Sequence, residues 1–175
     1  MKIIIKSTLA LVFIGFIVMI SFRVRKDIKK KLQFENTYAI QNVATRKALR
    51  PLNANYQNGV EIISYPLQDW ECITWEFIEI DKNTFLLKDL YTEKTFQPKF
   101  KPGNGVGLCQ QSLGGSSLQY WEFIKQVDET YLIRLKGTDL YITASSDKTD
   151  SPIVLKAKSN DKKQFWKKVK QTPWI

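Results

Sequence analysis

The 175-residue sequence contains no histidine and only two cysteines. Without histidine, the chain has no imidazole metal ligand, no Ser-His-Asp or Cys-His triad and no ordinary general base near neutral pH. The two cysteines, Cys72 and Cys109, are too few for a cysteine metal cluster or a disulfide-rich scaffold. These absences exclude the commonest catalytic and metal-binding classes. We therefore expect a binding protein that is not an enzyme and needs no metal or cofactor.

The composition predicts one folded domain with a substantial core. Hydrophobic residues make up 43% of the chain and aromatic residues 13%, which excludes a disordered protein. The net charge of +10 is concentrated near the N-terminus, where six Lys or Arg residues and one Asp lie between residues 23 and 31. A second basic run, from Lys156 through Lys170, is typical of a solvated strand face. Nucleic acid is therefore not the expected partner.

An uncharged apolar run, Ser7–Phe22, precedes the first basic stretch. Together with the residues just before it, this run gives residues 3–22 the length that a helix needs to cross a bilayer. We expect residues 1–31 to form a membrane anchor, with the basic residues 23–31 near lipid headgroups. A cleaved signal peptide that leads to secretion is the alternative, although the small residues of a cleavage site are missing before Arg23.

Three tryptophans, Trp75, Trp121 and Trp166, follow one another at intervals of 46 and 45 residues. Each closes a segment of four short runs with apolar residues at alternate positions, separated by turns rich in Gly, Asn, Asp, Ser and Lys. No stretch of the sequence after residue 32 has the 3.6-residue period of a long helix. The sequence therefore predicts an all-β domain at residues 32–175, with three four-strand repeats at about residues 36–80, 83–126 and 129–171.

The runs match one another from repeat to repeat. The first runs are 36–40, 83–87 and 129–133, the second are 47–49, 94–96 and 139–141, and the third are 59–62, 105–108 and 152–155, while the fourth runs begin at the three tryptophans. Because a unit of this size cannot bury its apolar face alone, the three copies must pack on one another.

The end of each repeat carries a recurring motif. It stands as Gln119-Tyr-Trp121 and Gln164-Phe-Trp166, whereas the first repeat has Ile73-Thr-Trp75. These residues resemble the ricin-type β-trefoil family, which is marked by Gln-x-Trp, over about residues 34–172. The resemblance implies a six-stranded barrel capped by three hairpins. It also implies that the tryptophans fill a core with further layers formed by Ile40, Leu87, Ile133, Phe77, Phe123 and Val169.

The resemblance implies carbohydrate recognition, through an Asp after the second run of a repeat and an aromatic residue after the third. This chain departs from that pattern. The Asp positions hold Arg50, Gln97 and either Ile142 or Thr143, and the aromatic positions hold Ile63, Cys109 and Lys156. Since a sugar site needs both a charged acceptor and a planar carbon-rich surface, the alternative is a tethered scaffold for protein interactions that has lost sugar binding.

The first repeat keeps the best material for a ligand site. Trp70 falls outside the repeating core pattern and stands in a polar loop, where it either contacts a ligand or packs on the loop. The candidate ligand-binding residues are Asn53, Asn55, Tyr56, Tyr65, Gln68, Asp69 and Trp70. The expected partner is a glycan or a protein.

Two further features have structural interpretations. The family often bridges cysteines within a repeat, but Cys72 and Cys109 belong to different repeats, so that bridge is not expected. They either form a non-standard disulfide or remain small buried side chains. Gly103–Gly107 lacks the Gly-Lys-Ser/Thr end of a phosphate loop and therefore predicts a hairpin turn.

The orientation of the expected anchor is open. Six basic residues after the apolar segment, against two before it, favour a cytoplasmic position for the domain. A lectin-like domain would be more useful outside the cytoplasm, and we take an extracytoplasmic domain as the working expectation.

Overall fold

The computed structural model describes residues 34–173 together with the single positions Met19 and Arg25. The expected anchor at residues 1–31, apart from those two positions, lies outside the described residues and stays a prediction. In the part of the chain that the structure describes, no helix is long and apolar enough to cross a bilayer. The fold described below is that of the unit Asn36–Ile175.

Twelve strands in three successive groups of four make up the described domain. The first repeat contains β1 (Thr37–Asn42), β2 (Lys47–Pro51), β3 (Ile62–Pro66) and β4 (Thr74–Asp81). The second contains β5 (Thr84–Asp89), β6 (Thr95–Pro98), β7 (Leu108–Gln111) and β8 (Tyr120–Lys125). The third contains β9 (Tyr131–Leu135), β10 (Leu140–Ala144), β11 (Ser151–Ala157) and β12 (Phe165–Lys170). The predicted all-β architecture with four strands in each repeat is confirmed.

The first and last strands of the repeats form a closed six-stranded barrel. Antiparallel pairing runs through β1, β4, β5, β8, β9 and β12. The ring closes because β12 also pairs with β1, in a register that extends from Tyr38 opposite Lys170 to Asn42 opposite Trp166. Closure satisfies the strand edges of the barrel within the described domain.

The second and third strands form three hairpins that cap the barrel: β2 with β3, β6 with β7, and β10 with β11. The hairpins also contact one another through the pairs Ser151–Ser64, Glu61–Cys109 and Gly107–Val154. The expected turn at Gly103–Gly107 is confirmed between β6 and β7. There Gly105 has a φ of +85°, a backbone conformation that glycine adopts without strain.

The three tryptophans are fully buried and belong to one core cluster, as predicted. Phe96 links two of them, with ring centroids 5.1 Å from Trp75 and 4.9 Å from Trp121. The indole N–H of Trp75 donates to the Leu49 carbonyl at 3.2 Å, and that of Trp166 donates to the Ile142 carbonyl at 3.0 Å. Each of these two indoles is therefore fixed to the second strand of its own repeat.

The prediction that Val169 fills the core position of Phe77 and Phe123 is wrong. Lys168 stands two residues after Trp166, as Phe77 and Phe123 stand two residues after their tryptophans, whereas Val169 packs on a separate small cluster. The Lys168 Nζ lies 4.3 Å from the centroid of Phe77 and 4.9 Å from that of Phe123. Three more rings surround the same nitrogen: Phe85 at 4.7 Å, Tyr131 at 5.3 Å and Tyr38 at 5.7 Å.

An aromatic cage around a cation thus replaces the third phenylalanine of this layer. The negative faces of the rings attract the ammonium group and offset part of the cost of removing it from water. Burial nevertheless lowers the pKa of the Lys168 amine, while Glu79 acts in the opposite direction. We refer to the five rings and Lys168 as the lysine cage.

Cys72 and Cys109 are buried free thiols, so the interpretation as small buried side chains is confirmed and a disulfide between them is not formed. Burial raises the pKa of both thiols. Both cysteines are therefore neutral near pH 7 and poor nucleophiles.

Candidate functional site

The candidate site lies in the first repeat and is formed by Arg50, Tyr65 and Trp70, which we call the Arg50 patch. Arg50 belongs to β2 and Tyr65 to β3, and the antiparallel pairing of these strands brings the two residues to neighbouring register positions. Trp70 immediately precedes the 3-10 turn Glu71–Ile73, which leads into β4. Two paired strands and the residue before a 3-10 turn, all in one repeat, therefore supply the patch.

The three side chains of the patch contact one another in sequence. The guanidinium carbon of Arg50 lies 3.9 Å from the centroid of the Tyr65 ring. The rings of Tyr65 and Trp70 are 6.1 Å apart and inclined at 35°. Trp70 is 42% exposed, whereas Arg50 is only 7% exposed. The patch thus offers an open indole beside a nearly enclosed cation.

The backbone beneath Trp70 is held firmly. Its carbonyl accepts hydrogen bonds from the Ile73 N–H at 3.1 Å and from the Thr74 hydroxyl at 2.8 Å. Tyr65 packs on a small apolar cluster that contains Cys72 and Ile73. A side chain on such a support is presented to solvent with little freedom to reorganise, which favours ligand binding.

Gln68 and Asp69 join the patch to the end of the chain. The Asp69 carboxylate accepts the N–H of Thr172 at 3.1 Å. With its amide nitrogen turned toward them, Gln171 donates to the Gln68 carbonyl at 3.2 Å and to the Asp69 carboxylate at 2.6 Å. These contacts position the loop that carries Trp70 and occupy the Asp69 carboxylate.

The remaining candidates lie in the loop between β2 and β3. Asn53 has a φ of +55°, the Asn55 side chain accepts the Gln57 N–H at 2.8 Å, and Tyr56 is 64% exposed. The buried amide of Gln110 in β7 holds this loop by donating to the carbonyls of Asn55 and Gln57. Within the described residues, no hydrogen bond or ring contact joins Asn53, Asn55 or Tyr56 to the Arg50 patch.

The other two repeats show what stands at the position of Arg50. The Gln119 side chain donates to Gln97 at 3.0 Å, and the Gln164 side chain donates to Thr143 at 3.1 Å. Of the two alternatives from the sequence, Thr143 and not Ile142 therefore matches Arg50. The strand register also places Val154 opposite Thr143, as Ile63 stands opposite Arg50. Val154 therefore matches Ile63 at the aromatic position of the third repeat, and the assignment of Lys156 to that position is wrong.

Sequence reasoning treated Arg50 only as a missing acid and did not include it in the site. The signal was present in the first repeat, where Ile73 replaces the glutamine of the Gln-x-Trp motif. An apolar side chain at that place leaves Arg50 without the amide partner that its counterparts have. The loss of one polar residue and the gain of a buried cation occur together.

A second concavity shares no residue with the Arg50 patch. It has a volume of about 310 Å³ and is lined by residues around Thr84, Phe123 and Arg134. Its Arg134 guanidinium pairs with Glu122 at 2.6 Å, so the opposite charges there already satisfy each other. Among the residues described, no group of three or more Cys, Asp or Glu side chains could hold a metal ion.

No protein-family model matches the chain, and no curated protein matches it in sequence. Solved structures do match. A designed threefold-symmetric protein, ThreeFoil, has a TM-score of 0.74 at 18% identity, over 77% of this chain and 98% of the designed one. The ricin B-like lectin of Macrolepiota procera, solved in complex with lactose, has a TM-score of 0.67 at 16% identity, over 77% of this chain and 94% of the lectin.

A third structure, the Rhizoctonia solani agglutinin, has a TM-score of 0.69 at 15% identity, over 78% of this chain and 95% of the agglutinin. At such identities the likeness concerns the fold. The chain has the β-trefoil fold of the ricin B-like lectins.

Proposed function

We propose that the domain recognises carbohydrate through the Arg50 patch of its first repeat, without catalysis. The observation that carries this proposal is the exposed indole of Trp70 beside the Tyr65 ring, held by a rigid backbone. Aromatic surfaces of this kind bind the apolar faces of sugar rings, while nearby polar groups bind hydroxyls. The fold supports the proposal as well, because lectins are among its structural neighbours.

The polar side of the proposed site differs from the pattern that the family resemblance implies. A guanidinium group, which only donates hydrogen bonds, stands where that pattern has an acceptor. Hydroxyl oxygens accept as well as donate, so a sugar can still be oriented at this place. The proposed specificity therefore depends on donors from the protein and not on a carboxylate.

Glycan-array binding with the full-length chain tests the proposal, followed by titration calorimetry on the strongest ligand. Trp70→Ala is expected to weaken that binding at least tenfold, because the indole provides most of the exposed stacking surface. Phe100→Ala is the matched control, since Phe100 is an exposed aromatic residue of the second repeat, 69% accessible, outside the patch. Full binding by Trp70→Ala, or equal losses in both variants, would overturn the proposal.

A protein-binding scaffold is the second candidate function. It is favoured by the absence of an acid at all three matching positions, which hold Arg50, Gln97 and Thr143. A scaffold is expected to give no signal on the array and to co-purify with a protein in fixed stoichiometry that sugars do not displace. Purification of the chain as a lone monomer that binds glycans would exclude it.

For localisation, we propose that residues 3–22 anchor the protein in a membrane with the domain outside the cytoplasm. The anchor is supported by the apolar run and its basic flank in the sequence. The extracytoplasmic side is supported by the likeness to lectins and stands against the positive-inside rule. Resistance to alkaline carbonate extraction tests the anchor, and protease digestion of intact cells tests the side. A mature chain whose N-terminal sequence begins after the apolar run would show a cleaved signal instead.

A further inference from the structure

Among the described residues, Arg50 is a buried cation without a counter-ion. Its side chain is 7% exposed, and its Nε atom is fully enclosed without a hydrogen-bond partner. Two carboxylates flank Trp70, those of Asp69 and Glu71, but among the described residues no ion pair forms with Arg50. Asp69 instead accepts a backbone N–H from the end of the chain. A charge removed from water in this way is costly unless something pairs with it.

Among the three repeats, only the first lacks a polar partner for the residue at the Arg50 position. Gln97 and Thr143 match Arg50 in the second and third repeats. Each of these two accepts a hydrogen bond from the Gln of its own Gln-x-Trp motif. In the first repeat that glutamine is replaced by Ile73, which is fully buried and apolar. Of the three matching positions, only that of the first repeat holds a guanidinium, and there the described residues supply no polar partner.

The Tyr65 ring covers one face of the Arg50 guanidinium but provides no hydrogen-bond acceptor for its N–H groups. Stacking at 3.9 Å fixes the plane of the guanidinium and attracts its positive charge. A guanidinium holds its N–H donors in its own plane, in a fixed fork that binds a carboxylate or sulfate through two parallel hydrogen bonds. Tyr65, on which Arg50 stacks, also contacts the open indole of Trp70.

We infer that the ligand of the Arg50 patch is an acidic sugar, with its ring against Trp70 and its anionic group at the Arg50 guanidinium. This inference rests on the proposed carbohydrate-binding function and adds the ligand class. An anionic group provides the missing counter-charge, whereas a neutral sugar leaves the cation unpaired. Carboxylated and sulfated sugars share this chemistry.

The test compares pairs of ligands in which one member carries the anionic group and the other is its neutral counterpart, using the full-length chain. Glycans ending in glucuronic acid or N-acetylneuraminic acid are titrated beside their methyl esters, and a sulfated neutral glycan is titrated beside its unsulfated form. At least tenfold tighter binding of the acid than of its ester is expected, and the preferred pair distinguishes carboxylate from sulfate. Sodium acetate and sodium sulfate alone control for binding of a bare anion.

Arg50→Gln introduces the residue that the second repeat carries, and is expected to bind acid and ester equally. Lys47→Gln, which removes a half-exposed cation from the same strand, is the matched control and is expected to keep the preference. The wild-type comparison stands without any variant, so poor folding of Arg50→Gln leaves the test intact. Equal binding of the charged and the neutral member in every pair by the wild-type chain would overturn the inference while leaving the proposed function in place. Absence of binding to every glycan would overturn both.

Discussion

Asn42 and Asp89 occupy the same turn position in the first and second repeats. The Asn42 Oδ1 accepts the N–H groups of Ala44 and Thr45, and the Asp89 Oδ1 accepts those of Tyr91 and Thr92. The two side chains differ in their other terminal atom, which is the amide nitrogen in Asn42 and the Oδ2 in Asp89. The Asn42 amide nitrogen donates to the carbonyls of Lys163 and Phe165, whereas the buried Asp89 Oδ2 has no partner among the residues that the structure describes. One repeat thus has a satisfied amide where the next has an unsatisfied acid.

This difference predicts a pH-dependent stability. Burial raises the pKa of Asp89 to about 7, although the hydrogen bonds from the Tyr91 and Thr92 amides favour the charged form. In the unfolded chain an Asp loses its proton near pH 4. Between these values the folded state holds a proton that the unfolded state has lost. The free energy of unfolding therefore falls as the pH rises from about 4 to about 7, and this contribution is constant above that range.

Asp89→Asn is expected to remove this dependence. The new amide keeps the acceptor of the turn. Its nitrogen is expected to donate to the carbonyls of Cys72 and Thr74, which precede Trp75 by three residues and one, as the partners of Asn42 precede Trp166. At pH 8 we expect a gain of about 4 kcal/mol in the free energy of unfolding, and little change at pH 4. Urea denaturation at both values measures it. Asp128→Asn, in an exposed turn, is the control, and an equal effect at both pH values would contradict the explanation.

The lysine cage predicts a rescue by small cations. Lys168→Ala removes the ammonium group and its stem from among five aromatic rings, and is expected to cost about 1–3 kcal/mol. Tetramethylammonium should then raise the melting temperature of the variant by several degrees, because the emptied cage can bind a quaternary ammonium ion.

The neighbouring residue provides the control for this experiment. Lys167 is exposed on the same strand, so Lys167→Ala should neither lose stability nor respond to tetramethylammonium beyond the effect of equal sodium chloride. A response of similar size in both variants would show a general salt effect instead of binding in the cage.

Trp121 and Trp166 are expected to contribute differently to stability although both stand in a Gln-x-Trp motif. The Trp166 indole donates to a backbone carbonyl, whereas the Trp121 N–H is buried without a partner. Substitution by Phe removes similar volume at both sites, but at Trp166 it also removes a hydrogen bond. Trp166→Phe should therefore cost about 1 kcal/mol more than Trp121→Phe in the free energy of unfolding. Equal losses in urea denaturation would contradict this ranking.

The cysteines are expected to be inert in the native protein. Because both thiols are buried with raised pKa values, an aromatic disulfide reagent should label them only after unfolding. Addition of a reductant should leave the melting temperature unchanged, because the native fold has no Cys72–Cys109 bridge to lose. Rapid labelling of either thiol in buffer alone, or a lower melting temperature in reductant, would contradict the buried, unbridged state.

The tryptophan spacing and the alternation of apolar residues predicted three four-strand repeats that pack on one another, because both depend only on local order along the chain. The barrel and its hairpins were expected from the family resemblance. Positions that depend on the exact alignment of the repeats with one another were harder to predict. Val169 was matched to Phe77 since both are apolar, but a lysine can take an aromatic position when rings surround its ammonium group. Similarly, the place of Arg50 in the candidate site depends on its stacking on Tyr65 and on its missing hydrogen-bond partner, and both are features of the structure.

The candidate site was predictable only in part. Tyr65 and Trp70 were singled out for their chemistry, and their contact follows from the end of β3 and the turn before β4. The separation of Asn53, Asn55 and Tyr56 from that contact follows from Gln110, a residue of another repeat. Long-range hydrogen bonds of this kind leave no trace in the spacing of residues.

The pairing of β1 with β12 has a consequence for synthesis on the ribosome. The ring cannot close until Phe165–Lys170 has left the exit tunnel, so one edge of β1 waits unpaired while nearly the whole domain is being made. Such an edge is open to pairing with other nascent chains. Stalled or truncated products that end before β12 are therefore the molecules of this protein most prone to aggregate.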